Sequence, residues 1–312
     1  MSYANPNVLV DTEWVSKNIS NKAVKIVEVD YDPENAYKQG HIQGASLIWW
    51  KRDINDPITR DIINKTQFEE LMGRNGIMPE SEVVLYGDFN NWFAAFVFWI
   101  FKYYGHNNIK IMNGGRKKWE LEKKPYAKDE PQISKTKYVA QPSDEGLRAY
   151  LFDVRRTLDR LDTVLVDVRS PKEYSGEITA PPEYPMEHAQ RGGHIPHAKN
   201  IPWATAVNDA DGTFKSVNEL KQIYDSKGVT PDKDVICYCR IGERSSHSWF
   251  VLKYLLGYPQ VRNYDGSWTE WGNMVRNPIE KQAQQSHSYM YRRHTINSKQ
   301  RTTTIDATTT EK

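Results

Sequence analysis

The sequence predicts an α/β chain made of two tandem copies of one domain, each a mainly parallel sheet flanked by helices. Two observations carry this prediction. Short apolar runs alternate with helical stretches, the pattern of strand–helix–strand units. The unit also occurs twice. Gly40-His41-Ile42-Gln43-Gly44-Ala45 is echoed by Gly193-His194-Ile195-Pro196-His197-Ala198, and Val83-Val84-Leu85-Tyr86 by Val235-Ile236-Cys237-Tyr238. Tyr104-Gly105 recurs as Leu256-Gly257, Asn113-Gly114 as Asp265-Gly266 and Trp119 as Trp271. One constant offset aligns everything from Tyr86 to Trp119 with Tyr238 to Trp271. A repeat of this length means duplicated domains, not a solenoid. At 312 residues the chain is also longer than one core comfortably needs.

In copy one, Lys25 to Val29 and Val83 to Tyr86 read as strands, and Lys65 to Asn75 and Asn91 to Tyr104 as helices. In copy two, Thr163 to Val168 and Val235 to Tyr238 read as strands. Leu147 to Leu161, Val217 to Lys227 and Ser246 to Leu256 read as helices. Gly105 and Gly257 suit helix C-caps, which need a positive φ. A Lys-, Pro-, Ser- and Gln-rich stretch, Lys123 to Asp144, separates the copies. The expected limits are 1–125 for the first domain, 126–146 for the linker and 147–279 for the second domain. Residues 280–312 lose the apolar pattern and form a polar tail, predicted to be disordered.

The bulk numbers exclude several classes. A net charge of +2 gives no overall pull toward nucleic acid or membrane. The longest apolar run, Trp92 to Phe101, is too short to span a bilayer. Met1 to Pro6 has neither a basic nor an apolar leader segment. The only cysteines, Cys237 and Cys239, are too close to staple a fold. A reducing cytoplasm, where a thiol stays free, is the expected location. Nothing in the sequence sets an oligomeric state.

Cys239 is the most informative residue. It follows the apolar run Val235 to Tyr238 and opens Cys239-Arg240-Ile241-Gly242-Glu243-Arg244-Ser245, after which a helical pattern starts. A thiol between a strand and a helix start faces backbone N–H groups without intrahelical partners. Those groups and the helix dipole favour an anion. With Arg240 and Arg244 beside it, the thiol is expected to have a lowered pKa and to react as thiolate. The repeat supplies a control. Gly87 aligns with Cys239, and Asn91-Trp92 with Glu243-Arg244, so chemistry belongs to copy two while copy one braces it.

These motifs resemble the tandem-domain rhodaneses, the thiosulfate sulfurtransferases. The resemblance runs from about Val8 to Pro278. It is carried by Cys239 to Ser246, by Val166-Asp167-Val168-Arg169-Ser170 and by the two Gly-His-Ile motifs. Copy one adds Leu85-Tyr86-Gly87-Asp88 and Asn113-Gly114-Gly115-Arg116-Lys117-Lys118-Trp119. The resemblance implies an inactive first domain and a catalytic second one, with no cofactor or metal. It implies that Cys239 takes the sulfane sulfur of thiosulfate as a persulfide and passes it to cyanide or a thiol. The loop Arg240, Ile241, Gly242, Glu243, Arg244 and Ser245 would bind the donor. Asp167 and Arg169 are further candidates at the adjacent strand end. Four residues separate Cys239 from Arg244, whereas related cell-cycle phosphatases need five, so a sulfur-sized guest is favoured. The two arginines favour thiosulfate over 3-mercaptopyruvate. Glu173 departs from the pattern, since some thiosulfate enzymes carry an arginine there. Mercaptopyruvate as donor, or a non-catalytic carrier or binding module, are the alternatives.

Other residues have plainer readings. Cys237, on the strand, reads as a buried inert thiol. A Cys-x-Cys metal site lacks further ligands of suitable spacing. His188, His194 and His197 cluster loosely, but His194 recurs as His41 in the copy without the thiol, which favours a structural role. Asp167 either orients Arg240 or a loop N–H, or caps the following turn. Arg169 reads first as a salt-bridge partner. Trp92 to Trp99 reads as core, because a helix apolar nearly all round is buried between layers. Lys117-Lys118 reads as a solvated helix face. Arg244 at a helix start opposes the dipole, a local cost that a bound anion would offset.

Overall fold

The computed structural model describes residues 2–181 and 188–281. The tail beyond residue 281, and part of the loop Gly176 to Gly192, lie outside the described residues.

In the first copy the strands are β1 (Leu9–Val10), β2 (Val24–Asp30), β3 (Ser46–Trp49), β4 (Glu82–Gly87) and β5 (Ile109–Met112). They form one sheet in the order β1-β5-β4-β2-β3, every pairing parallel. Its helices are α1 (Thr12–Asn18), α2 (Trp50–Asp53), α3 (Lys65–Arg74), α4 (Trp92–Tyr103) and α5 (Gly115–Leu121). In the second copy β6 (Thr163–Asp167), β7 (Lys199–Asn200), β8 (Asp234–Tyr238) and β9 (Val261–Tyr264) form a parallel sheet in the order β7-β6-β8-β9. Its helices are α6 (Leu151–Thr157), α7 (Pro171–Ser175), α8 (Val217–Asp225), α9 (Glu243–Phe250) and α10 (Ser267–Asn273). The two central strands, β4 and β8, are buried runs of β-branched and aromatic residues, as strands covered on both faces must be.

The motif repeat has a repeated physical basis. His41 stacks on Tyr37 with ring centroids 3.8 Å apart, and His194 on Tyr174 at 3.6 Å. Each histidine Nδ1 bonds the carbonyl of its stacking tyrosine, at 2.9 and 2.8 Å. The next N–H, of Ile42 or Ile195, donates to the hydroxyl of the tyrosine on the central strand, Tyr86 or Tyr238. Trp119 and Trp271 are both fully buried, and each donates to a carbonyl a few residues on, Pro125 and Pro278. The shared histidines thus hold the scaffold together. Gly105 and Gly257 end their helices at φ 80° and 74°.

Two helix starts differ from expectation. Helix α6 starts at Leu151, not Leu147, because Arg148 bridges Asn263 in parallel and the Ala149 N–H bonds the Asn263 carbonyl. That extended segment continues the sheet beside β9 as β1 does beside β5. Helix α9 starts at Glu243, three residues before the expected point, and runs into a wider π-helical turn over Val251–Leu255. The expected linker is a strap packed on copy one. The Ala127 N–H bonds the His41 carbonyl, the Thr136 N–H the Gly73 carbonyl and the Ala140 N–H the Glu69 carboxylate.

The two copies share one continuous apolar core. Helix α4 is buried along nearly its whole length, against its own sheet on one side and α9 on the other. Phe98 is the centre of that seam, with edge contacts to Phe250 at 4.9 Å and Tyr254 at 5.2 Å. Polar ties close the edges. Tyr3 Oη bonds the Lys215 carbonyl, the Phe214 N–H bonds Asn113, and Trp99 Nε1 bonds the Leu147 carbonyl. Lys117 and Lys118 are not a plain solvated face, since they reach the Asp209 carbonyl and the Asp211 carboxylate of the other copy. The apolar helix face and these ties make copy one a wall for copy two.

Candidate active site

Cys239 lies at the C-terminal end of β8, between the sheet and the first turn of α9. The chain turns at Gly242, whose φ of 101° excludes most side chains. A Cβ there would also stand 2.8 Å from the Asp265 Cβ and 3.1 Å from the Phe96 ring of copy one. The turn brings the Gly242 N–H to 3.1 Å from the Cys239 sulfur, into which it donates. The Gly242 carbonyl accepts from Ser245 Oγ at 2.9 Å and Ser246 Oγ at 2.8 Å. Ser267 Oγ accepts the Cys239 N–H at 3.0 Å, and the N–H groups of Trp268 and Thr269 bond the carbonyls of Cys239 and Arg240. The loop is therefore fixed from below by its own serines and from the side by the turn after β9.

The thiol is completely buried, and Arg240, Ile241, Glu243 and Arg244 are each 5% exposed or less. Beside the loop is a cavity of about 420 Å³, lined by Arg60 of copy one and by Arg148, Tyr150, Ile241, Asp265 and Thr269. Arg148 joins the copies at this cavity by pairing with Asp61 of copy one and, at 2.8 Å, with Asp265. A larger cavity, about 750 Å³, lies in copy one between Lys22, Gln43 and the strap, and contains no thiol.

The charges around the thiol differ from the expectation. Arg244 is held in a two-pronged pair with Glu173 of α7, both contacts at 2.9 Å and both side chains buried. Burial alone would raise the Glu173 carboxyl, but Arg244 outweighs it and holds the group at about 2. Arg240 stands 3.9 Å from Glu243, and Glu243 Oε2 lies 3.8 Å from the Cys239 sulfur. Burial and then the Glu243 carboxylate push the thiol up, while Arg244 and the Ser245 N–H draw it down. The resting thiol is thus not the low-pKa thiolate expected from two flanking arginines. Each arginine has a carboxylate beside it, Glu243 from the same loop and Glu173 from a distant element.

Asp167 does not reach Arg240. It takes a two-pronged bond from Arg169, whose guanidinium also bonds the Gly193 carbonyl and lies over Trp268 at 4.5 Å. The pair is wholly buried and locks the end of β6 to the loop before β7. Cys237 is also buried, and burial followed by the neighbouring Cys239 raises its thiol strongly. Both cysteines are free. Asn263, Ser267 and the Arg148–Asp265 pair were missed by sequence reasoning. The repeat signal pointed at them, since Asp265-Gly266 matches Asn113-Gly114, but it named no role.

In copy one the equivalent loop is closed to this chemistry. A Cβ on Gly87 would lie 2.4 Å from the Val29 carbonyl oxygen of the adjacent strand. Phe89, Asn90 and Asn91 all have positive φ, and Asn91 fills the loop by accepting the Gly87 N–H and donating to the Met112 carbonyl.

The rhodanese-like domain family matches twice, over residues 11–122 and 151–274. The chain is 55% identical to the sulfur carrier protein TtuD of Thermus thermophilus, across 90% of this chain and 99% of that one. It is 50% identical to the "Putative thiosulfate sulfurtransferase" of Saccharopolyspora erythraea, across 89% and 98%. A solved structure of the anaerobic ergothioneine biosynthesis enzyme from Chlorobium limicola, in complex with trimethyl histidine, superposes with a TM-score of 0.81. That match has 28% identity over 90% of this chain and 72% of the other. In a structure of EanB with the same TM-score and 27% identity, a cysteine carries a persulfide. With the domain matched twice and half of all residues shared over nearly the full length, the chain belongs to the rhodanese family of sulfurtransferases.

Proposed function

We propose that this protein is a thiosulfate sulfurtransferase that carries sulfane sulfur as a persulfide on Cys239 and delivers it to cyanide or a thiol. The observation that supports this most is the Gly242 N–H aimed at the Cys239 sulfur at the head of α9. Cys239 attacks the outer sulfur of thiosulfate, the S–S bond breaks, and sulfite leaves with the bonding pair. An acceptor then attacks the outer persulfide sulfur, and Cys239 regains its electron pair. Two half-reactions through one covalent intermediate give ping-pong kinetics. Loop N–H groups at the start of α9 stabilise the anionic persulfide, and Arg240 is placed to hold the donor's sulfonate oxygens. Incubation with thiosulfate should add one cyanide-labile sulfur to the intact protein, read by mass. No gain would refute the proposal. Side-by-side rates with 3-mercaptopyruvate test the donor.

A second reading, sulfur carriage to a larger acceptor, has one specific observation in its favour. Glu173 neutralises the arginine that a free dianion would use. The name of the Thermus thermophilus relative agrees with it. Persulfide formation with negligible turnover to cyanide would support that reading.

A further inference from the structure

We infer that Glu243 accepts the Cys239 thiol proton as the thiol attacks the donor, and returns it when the persulfide gives up its sulfur. This rests on the Cys239 persulfide reading above. A buried thiol loses its proton fastest to a base within reach, because little solvent meets the sulfur. Cys239 is 0% exposed and Glu243 2%. The thiol donates toward Glu243 Oε2 at 3.8 Å, across the loop that turns at Gly242. Thiolate and carboxylate side by side in a dry site would repel each other, so one proton shared between them is the stable arrangement.

The groups facing Glu243 suit a proton that moves. Burial raises its carboxyl, while Arg240 and Arg244 on the loop and Arg60 from copy one draw it down. Asp265, against Gly242, is tied to Arg148. Glu173 cannot serve, since Arg244 holds it ionised down to about pH 2. His247 on the same helix packs against Trp203 and Phe214, and burial lowers it to about 3.

The step balances without an outside reagent. In the first half-reaction the S–H bond breaks and the proton passes to Glu243. The freed sulfur pair bonds the sulfane sulfur, and sulfite departs with the pair of the old S–S bond. The cradle then holds an anionic persulfide beside a neutral acid, with its charge unchanged. In the second half-reaction the acceptor takes the outer sulfur, the Cys239 sulfur keeps the pair of the broken S–S bond, and Glu243 reprotonates it.

The test is single-turnover persulfide formation with thiosulfate, followed by sulfite release and by proton release to a dye in weak buffer. The pH for the proton count is one at which sulfite is fully deprotonated. Wild-type protein should release no proton per persulfide and show a nearly flat rate from about pH 6 to 8. Glu243→Gln should release one proton and be slower by roughly 100-fold at neutral pH, the lower end of general-base effects. Its rate should rise about tenfold per pH unit, as solvent takes over the deprotonation. Glu243→Asp should keep the flat profile at a reduced rate. A Glu243→Gln rate equal to or above wild type, or slowed equally at every pH, would overturn the inference. One proton released by wild type would overturn it without any variant, which decides the matter should Glu243→Gln not fold. Wild-type protein that gains no sulfur at all sinks the function reading, and this inference with it. Persulfide formed with full proton release sinks only the role of Glu243.

Discussion

Replacing Glu173 with Gln removes the charge that occupies Arg244 while keeping the shape of the side chain. Two effects of opposite sign follow. The fold loses a buried carboxylate held at about 2 instead of 4.5, and at 1.36 kcal/mol per pH unit this is on the order of 3 kcal/mol at neutral pH. That range agrees with the cost of breaking one side of a buried pair. In a cooperative unit of this size it lowers Tm by about 5 °C. The sign can be checked with pH. A carboxyl depressed in the folded state stabilises above its unfolded pKa and loses that contribution as pH falls through the folded value. The Tm gap between wild type and Glu173→Gln should therefore hold from pH 7 to about 5 and narrow below 4.5. The second effect is catalytic. Arg244 regains capacity for an oxyanion, and one charge-assisted hydrogen bond is worth about 1.5–3 kcal/mol. That corresponds to roughly a 10–100-fold gain in kcat/KM for thiosulfate, with a smaller change for 3-mercaptopyruvate. Melting curves across pH and steady-state rates with both donors are the assays. A folded variant whose thiosulfate kcat/KM stays level or falls would refute the idea that Glu173 limits Arg244.

Further outcomes are expected. Cys239→Ser should abolish persulfide formation while Cys237→Ser largely preserves it, and equal loss in two well-folded variants would count against Cys239. Gly87→Cys should give no second persulfide by mass and should lower Tm, because its Cβ would meet the Val29 carbonyl at 2.4 Å. Asp30 is buried beside Asp88, and burial raises its carboxyl from 3.8 to about 7. An acid raised in the folded state costs stability as pH climbs from its unfolded to its folded pKa, here up to about 4 kcal/mol. Asp30→Asn should thus raise Tm at pH 8 and do so less at pH 5, and an equal shift at both would contradict the assignment.

The sequence by itself determined the architecture. Strand–helix alternation and the constant register of the two copies depend only on local pattern, and local pattern is what periodicity records. The register also placed Gly87 over Cys239, and thereby the nucleophile in one copy alone. The loop, its glycine and its two arginines were legible because seven consecutive residues carry them. What only the tertiary structure decided was the charge of the cradle. Glu173 lies 71 residues from Arg244 in the chain, yet it grips the guanidinium. Glu243 was visible in the motif, but not that it points at the thiol, because the turn at Gly242 sets that direction. Packing likewise gave Lys117 and Lys118 partners in the other copy, while Asp167 caps its own turn and pairs with Arg169 two residues on, as local spacing allowed. Linear spacing fixes which residues share an element. Burial arises only when distant elements pack, and with the Glu243 carboxylate that the turn brings to the sulfur it raises the Cys239 thiol against the pull of Arg244.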